Sequence, residues 1–392
     1  MATLSARNSP KPGWCEPVIV MNTAANLPPG ASPGTLPRVM VVDDSAVVRG
    51  LVARWVEADP RLALAATCSD GEQGVKRAGE LQPDLVVLDI EMPRMDGLTA
   101  LPLILKAAPK ARVIMASTLT QKGAQVTLQA LSLGAADFAP KPDTSRMGGA
   151  ESYRVELLDK LAVLAPRYAP HRPVGAAVPS PAAKPADAGA APAASGRELP
   201  ARVDLLAIGS STGGPQALRQ VIQNIPSSIR MPVVIAQHMP KVFTAILAEH
   251  LSREGLPAHE ASDGEALKPG HVYVAPGDYH MTIEGTPGQF RARLDQNPPI
   301  NFCRPSVDPL FESCARAAGK HLLALVLTGM GSDGRNGARH VREAGGGVIV
   351  QDQASSVVWG MPGAVAEAGL ADLVLPLNQI GPDLARRLTG AR

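Results

Sequence analysis

From Arg38 onward, short apolar runs alternate with longer stretches whose apolar residues recur every third or fourth position. Val39–Val42 is rich in β-branched residues and reads as a strand. Ser45 then can cap a helix in which Val47, Val48, Leu51, Val52, Trp55 and Val56 share a face with a period near 3.6. The strand pattern returns at Leu62–Ala66, Leu85–Leu88, Val113–Ala116 and Ala136–Ala139, and the helical one at Gly97–Ala108 and Ala124–Leu133. Alternation of this kind predicts an α/β fold, a doubly wound parallel sheet with helices on both faces. Glu151–Arg167 adds an amphipathic helix, with Val155, Leu158, Leu161 and Leu164 along one face.

A second α/β pattern begins at Val203. Strands are expected at Leu205–Ile208, Val233–Ala236, Val272–Ala275, Leu322–Leu327 and Val348–Val350, with helices at Ala217–Asn224, Thr244–Glu254, Leu310–Ala318 and Gly337–Ala344. Met281–Ile283 and Phe290–Leu294 suggest a hairpin, so this half is expected to be parallel-dominated with some antiparallel decoration. Between the halves, residues 168–202 are rich in Ala, Pro and Gly and lack apolar periodicity, the composition of a linker stiffened by proline. Residues 1–37 carry several Pro-Gly and Pro-Lys-Pro steps and read as a disordered extension. The expected organisation is therefore an extension (1–37), a first domain (38–167), the linker (168–202) and a second domain (203–392).

Composition narrows the classes of function. A net charge of +2, with no Lys/Arg block resembling a DNA-reading helix, gives no case for nucleic acid. The four cysteines (Cys15, Cys68, Cys303, Cys314) show no C-x-x-C spacing and are expected to be free thiols in a reducing compartment. No apolar run approaches the roughly 20 residues of a membrane helix, and the N-terminus does not read as a signal peptide. The expectation is a soluble cytoplasmic protein without membrane insertion.

Candidate chemistry gathers at predicted strand ends. Asp43 and Asp44 follow the first strand, Asp89 follows Leu85–Leu88, and Lys141-Pro142 follows the last strand of the first half. Parallel strands deliver these ends to one edge of the sheet. Clustered carboxylates there call for a hard cation, Mg²⁺, with the Glu91 backbone carbonyl as a further ligand. Asp89 could then attack phosphorus, Lys141 pair with the acyl phosphate and Ser117 donate a hydrogen bond to it. Taken singly, each residue reads as a helix cap or a surface turn; their joint order does not. Pro142 is a candidate cis proline that aims the lysine.

In the second half, Ile208-Gly209-Ser210-Ser211-Thr212-Gly213-Gly214-Pro215 follows a strand and opens a helix, exposing a hydroxyl near converging backbone N–H groups. A phosphate cradle is the alternative, although the run is neither G-x-G-x-x-G nor a P-loop. His238, in Gln-His-Met-Pro after a strand, is the candidate base, with His280 the remaining competitor. Asp333, in Thr-Gly-Met-Gly-Ser-Asp-Gly after another strand, can orient the imidazole, or else cap a helix.

VVDDSAVVR, LDIEMPRMDGL, Ser117-Thr118 and DFAPKPD resemble the receiver domain of two-component response regulators. IGSSTGGP, QHMP, VYVAPGDYHM, RPSVDPLF and LTGMGSDG resemble the catalytic domain of the CheB family of chemotaxis protein-glutamate methylesterases. The resemblance implies Asp89 as phosphoacceptor, Asp43 and Asp44 as Mg²⁺ ligands, Ser117 as switch hydroxyl and Phe138 as an aromatic that reorients. It further implies Ser211 as nucleophile, His238 as base then acid, Asp333 as orienting carboxylate, the Met330 N–H as oxyanion donor and Thr212 beside the nucleophile. No cofactor is implied for the catalytic half. Ser210 stands where the family often has alanine, and Phe302-Cys303 where His or Arg is expected. The implied function is phosphorylation-activated hydrolysis of glutamate methyl esters on chemoreceptor helices, with glutamine deamidation by the same path. The implied partners are those methylated helices and a histidine kinase phosphodonor, and the chain is expected to be a monomer. A non-flagellar chemosensory role and a receiver fused to a non-enzymatic binding module are the alternatives.

Overall fold

The computed structural model describes residues 36–141, 149–165 and 197–389. The expected extension up to residue 35, most of the linker, and Pro142 lie outside the described residues. The described residues form two compact units, one falling within the span Met1–Ala116 and Arg154–Pro170, the other within Ser117–Tyr153 and His171–Arg392.

The first α/β layer runs β1 (Arg38–Val42), α1 (Ala46–Ala58), β2 (Ala63–Cys68), α2 (Gly71–Leu81), β3 (Leu85–Asp89), α3 (Gly97–Ala107), β4 (Arg112–Ser117), α4 (Gln121–Ser132), β5 (Asp137–Pro140) and α5 (Gly149–Leu164). Its sheet has the order β2-β1-β3-β4-β5, and the pairings of β1 with β2 and β3, and of β3 with β4, are parallel. Local chemistry sets the boundaries. Ser45 caps α1 as its sequence suggests, accepting from the Val48 N–H, and Asp70, Asp96 and Thr120 cap α2, α3 and α4 in the same way.

The second layer comprises β6 (Leu205–Ser210), α6 (Gly214–Ile222), β7 (Val233–Gln237), α7 (Lys241–Ser252), β8 (Ala258–Glu260), β9 (Val272–Val274), β10 (His280–Glu284), β11 (Arg291–Asp295), α8 (Val307–Ala318), β12 (Leu322–Val326), α9 (Arg335–Glu343), β13 (Gly347–Gln351), α10 (Met361–Glu367), β14 (Leu373–Leu375) and α11 (Leu377–Thr389). Seven strands pair in the order β14-β13-β12-β6-β7-β9-β8, every pairing parallel, while β10 and β11 form a separate antiparallel hairpin. The central strands are apolar along their whole length because helices cover both faces; Leu205–Ile208, Val233–Ala236 and Leu322–Val326 are buried at every position.

The end of β6 and the short edge strands are among the features that differ from the sequence reading. Strand β6 continues through Gly209 and Ser210, which the motif placed in the turn. A β-carbon at 209 would meet the Val307 side chain, so glycine lets α8 pack against the strand end. The three-residue strands β8 and β14 are too short for an apolar period to register, and they form by edge pairing onto β9 and β13.

Strand order reverses around β6, which lies between β7 on one side and β12 on the other. The crevice of such a sheet opens at the carboxyl ends of the strands flanking this point. Among the described residues, no helix is long and apolar enough to cross a membrane.

Candidate active site

Ser210 and Gln237 pair in register, so Ser211 and His238 each stand one residue past the ends of neighbouring strands. The His238 N–H donates to the Ser210 carbonyl (3.1 Å), and the Ser211 N–H donates to the Thr328 carbonyl beyond β12 (3.1 Å). Three strand ends thus converge on Ser211.

The two adjacent serines are clearly distinguished. Ser210 is fully buried, its hydroxyl donating to Gln237 Oε1 at 2.6 Å. The same amide donates through Nε2 to the Ser211 carbonyl (2.9 Å) and to the His238 carbonyl (3.3 Å), which fixes both backbones. Ser211 is half-buried, and its hydroxyl holds no hydrogen bond among the described residues. Of the pair, Ser211 has the available hydroxyl. Gly213 then takes φ 75°, a left-handed turn into α6 that a side chain would strain.

His238 Nε2 lies 2.7 Å from Asp333 Oδ2, with both side chains nearly excluded from solvent. Asp333 is held by five further donors. Val307 N–H reaches Oδ2 at 2.6 Å; the Ser306 hydroxyl (2.8 Å), the Asp308 N–H (3.1 Å), Asn301 Nδ2 (3.1 Å) and its own neighbour's Gly334 N–H (3.0 Å) reach Oδ1. Burial would push this carboxyl up, but the His238 bond and charge with the Val307 and Ser306 donors outweigh it and hold the pKa at about 2. Burial would likewise lower His238, yet the Asp333 hydrogen bond and the Cys303 contact raise it to about 10. An imidazole clamped this way has its Nε2 committed and leaves Nδ1 as the remaining ring nitrogen.

That Nδ1 lies 3.3 Å from Cys303 Sγ, and Ser211 makes no hydrogen bond to either imidazole nitrogen among the described residues. The sequence marks the segment 301–304 only as a departure from the family pattern, and assigns no role at the site to Cys303, Asn301, Ser306 or Gln237. Asn301 and Cys303 sit in an irregular loop with no period, whereas Ser306 and Gln237 lie inside the recognised motifs RPSVDPLF and QHMP.

His280 is not an alternative base. It is buried, with Nε2 at 3.2 Å from the Pro298 carbonyl and Nδ1 accepting from the Ser306 N–H (3.3 Å), so both nitrogens serve the scaffold. Thr212 is buried beside Ser211, its carbonyl accepting from the Thr328 hydroxyl at 2.9 Å. Met330 follows Gly329, where a β-carbon would collide with Met361 Sδ and lie 2.8 Å from Ser211 Cβ. Glycine there lets the loop after β12 close on the serine. The Met330 N–H carries no hydrogen bond among the described residues and is free to donate.

In the first layer, ligand oxygens of Asp43, Asp44 and Asp89 lie within 4.8 Å of one another, Asp43 and Asp89 buried and Asp44 exposed. An all-carboxylate donor set of this size fits a hard divalent cation. Glu91 follows in the loop after β3 with an exposed side chain. Ser117 ends β4, one residue beyond the Asp89↔Ala116 pairing; it is buried and its Oγ accepts from the Thr127 hydroxyl at 2.6 Å. The Lys141 N–H donates to the Ser117 carbonyl at 2.6 Å, and Phe138 is buried on β5.

Comparison with known proteins agrees with both halves. The CheB methylesterase family profile matches residues 206–384, and the response regulator receiver domain profile matches residues 39–148. A protein-glutamate methylesterase/protein-glutamine glutaminase of Maricaulis maris is 55% identical over 396 residues, covering 93% of this chain and 99% of that protein. Protein-glutamate methylesterase/protein-glutamine glutaminase 2 of Caulobacter vibrioides is 51% identical over 352 residues, covering 89% and 98%. Among solved structures, the Thermotoga maritima CheB methylesterase catalytic domain is 43% identical over 47% of this chain and 98% of its own, with a TM-score of 0.46. With a receiver domain in front of an esterase domain and relatives aligned over nearly their full length, the chain belongs to the CheB methylesterase family.

Proposed function

We propose that this protein hydrolyses glutamate γ-methyl esters on chemoreceptor helices, releases methanol, and deamidates receptor glutamines at the same site. The observation that carries this reading is the buried His238–Asp333 pair standing one strand over from a half-buried, uncommitted Ser211 hydroxyl. The domain reading is a receiver at 38–167 and a catalytic domain at 203–392.

Ser211 Oγ attacks the ester carbonyl and gives its proton to His238 Nδ1, since Nε2 is held by Asp333. The Met330 N–H supports the oxyanion. As the tetrahedral adduct collapses, methoxide leaves and takes that proton, forming methanol. Water then adds to the acyl-enzyme with His238 as base, releasing glutamate and restoring Ser211. With glutamine the leaving group is ammonia. Catalytic hydrogen bonds in substrate-free enzymes are often long and tighten on binding, which suits the unmade Ser211–His238 bond.

Activity is gated by phosphorylation of Asp89, which takes a phosphoryl group from a histidine kinase as the P–N bond breaks and a P–O bond forms. Asp43, Asp44 and Asp89 would hold Mg²⁺, with the Glu91 carbonyl a further ligand; bound there, the ion supplies charge neutralisation between Asp89 and the incoming phosphoryl group. Ser117, Lys141 and Phe138 are read as the switch residues that respond. Family membership supports placing this activity in the cytoplasm. The test is methanol release from methylated receptor with and without phosphodonor and Mg²⁺, wild type against Ser211→Ala. Equal release from the two proteins would sink the reading.

A further inference from the structure

Nε2 of His238 is occupied by Asp333, so one nitrogen, Nδ1, remains to receive the Ser211 proton. In the structure that nitrogen faces Cys303 Sγ at 3.3 Å instead. The cysteine is delivered by a tight turn: the Ile300 N–H donates to the Cys303 carbonyl (3.1 Å) and the Cys303 N–H returns to the Ile300 carbonyl (2.9 Å). The two residues between them, Asn301 and Phe302, adopt left-handed φ values of 52° and 62°, which costs energy for a bulky side chain such as Phe302. Asn301 uses this conformation to bond Asp333 and Asp308, so the turn is pinned to the histidine's own carboxylate partner. Cys68 and Cys314, the other described cysteines, are buried.

We infer that Cys303 is a positioning residue that parks His238 between turnovers and yields Nδ1 to Ser211 when substrate binds. This rests on the reading of Ser211 and His238 given above. A thiol suits the task because sulfur is both a weak donor and a weak acceptor. It orients the ring without competing strongly against the serine hydroxyl. Oxygen at the same place would hold Nδ1 more firmly, whether the imidazole is neutral or protonated, and an empty place would not hold it at all.

The consequence inverts the usual ranking of conservative substitutions. At saturating substrate, and at a pH where turnover has levelled off, kcat for methanol release by the full-length protein is expected to run Cys303→Ala at or above wild type, with Cys303→Ser lowest. The Ser variant is expected to lose on the order of fivefold in kcat, the scale of one ordinary hydrogen bond, with KM little changed. A cysteine that merely fills space would instead leave the near-isosteric serine closest to wild type and alanine impaired. That order, or no difference among the three, overturns the inference. A second readout works even where a variant is inactive. The nitrogen-15 signal of His238 Nδ1, identified by its loss in His238→Gln, is expected to move on Cys303→Ala; an unmoved signal also overturns it. If Ser211→Ala retains wild-type turnover, the reading of the site fails, whereas a dead Ser211→Ala with serine at 303 ranked above alanine defeats only the role of Cys303.

Discussion

Asp308 and Asp333 share a donor: the Gly334 N–H lies 3.0 Å from an oxygen of each carboxylate. Asp308 also accepts from the Gly337 N–H at 2.7 Å, and so closes the N-terminus of α9, whose own cap residue is a glycine without a side chain. Burial pushes the Asp308 carboxyl up, and the neighbouring Asp333 charge adds to this. One carboxylate therefore anchors the helix on which the other depends for its position.

Asp308→Ala is accordingly expected to lower stability by about 1–3 kcal/mol, the cost of a lost cap and unsatisfied buried donors. It is also expected to lower kcat through misplacement of Asp333. Chemical denaturation and methanol release on the same preparation check both. An Asp308→Ala protein with unchanged stability would remove Asp308 from the capping role.

The serine pair gives a direct contrast. Ser211→Ala is expected to lose at least about three orders of magnitude in turnover, as nucleophile removal does in triad enzymes. Ser210→Ala loses only its bond to Gln237, and is expected to cost about 1 kcal/mol of stability while retaining most turnover. Reversed behaviour of the two variants would reassign the nucleophile.

Acidity of the His238–Asp333 pair predicts two pH effects. His238 is raised above its ordinary 6.5, so the pair's stabilisation through the imidazolium is complete below about 6.5 and is lost as pH rises through about 10. Asp333 is lowered from 3.8, so its contribution is complete above that value and is lost as pH falls toward about 2. Thermal melting of wild type against His238→Gln should show the largest difference between these limits, shrinking above neutrality. Since a base must be unprotonated, kcat/KM is expected to keep rising with pH well past 6.5. Asp333→Asn removes a raising partner and should move that ascending limb to lower pH while reducing kcat.

For the carboxylate cluster, a small acyl phosphate with Mg²⁺ is expected to phosphorylate the wild type and to raise methanol release. Chelation by EDTA, or Asp89→Asn, should abolish the hydroxylamine-labile phosphate, and Asp43→Asn should raise the Mg²⁺ concentration that phosphorylation requires. Phosphate incorporation into Asp89→Asn at the wild-type level would place the acceptor elsewhere.

What the sequence made legible were groups tied to strand ends. Asp89, Ser211, His238 and Asp333 each follow an apolar run, and parallel strands of fixed direction carry such positions to one edge of their own sheet. The contacts of Cys303 with His238 and of Asn301 with Asp333 were not legible, because they depend on two consecutive left-handed residues that no apolar period announces. The roles of Ser210 and Ser211 were also open in the sequence, since only burial and the Gln237 amide tell the two hydroxyls apart. Helix α11 was missed for a related reason: Gly381 and Pro382 interrupt its pattern, and buried Ile380 and Leu384 secure it by tertiary packing.

The matched pairing of β6 with β7 has a consequence for how this chain can change. Because side chains alternate along a strand, inserting or deleting one residue in either would rotate its terminal hydroxyl or imidazole to the opposite face. Natural length variation is therefore expected in the loops opposite the crevice and absent from these two strands. Tolerance to single-codon indels across residues 205–237, scored in a deletion library, would trace that boundary.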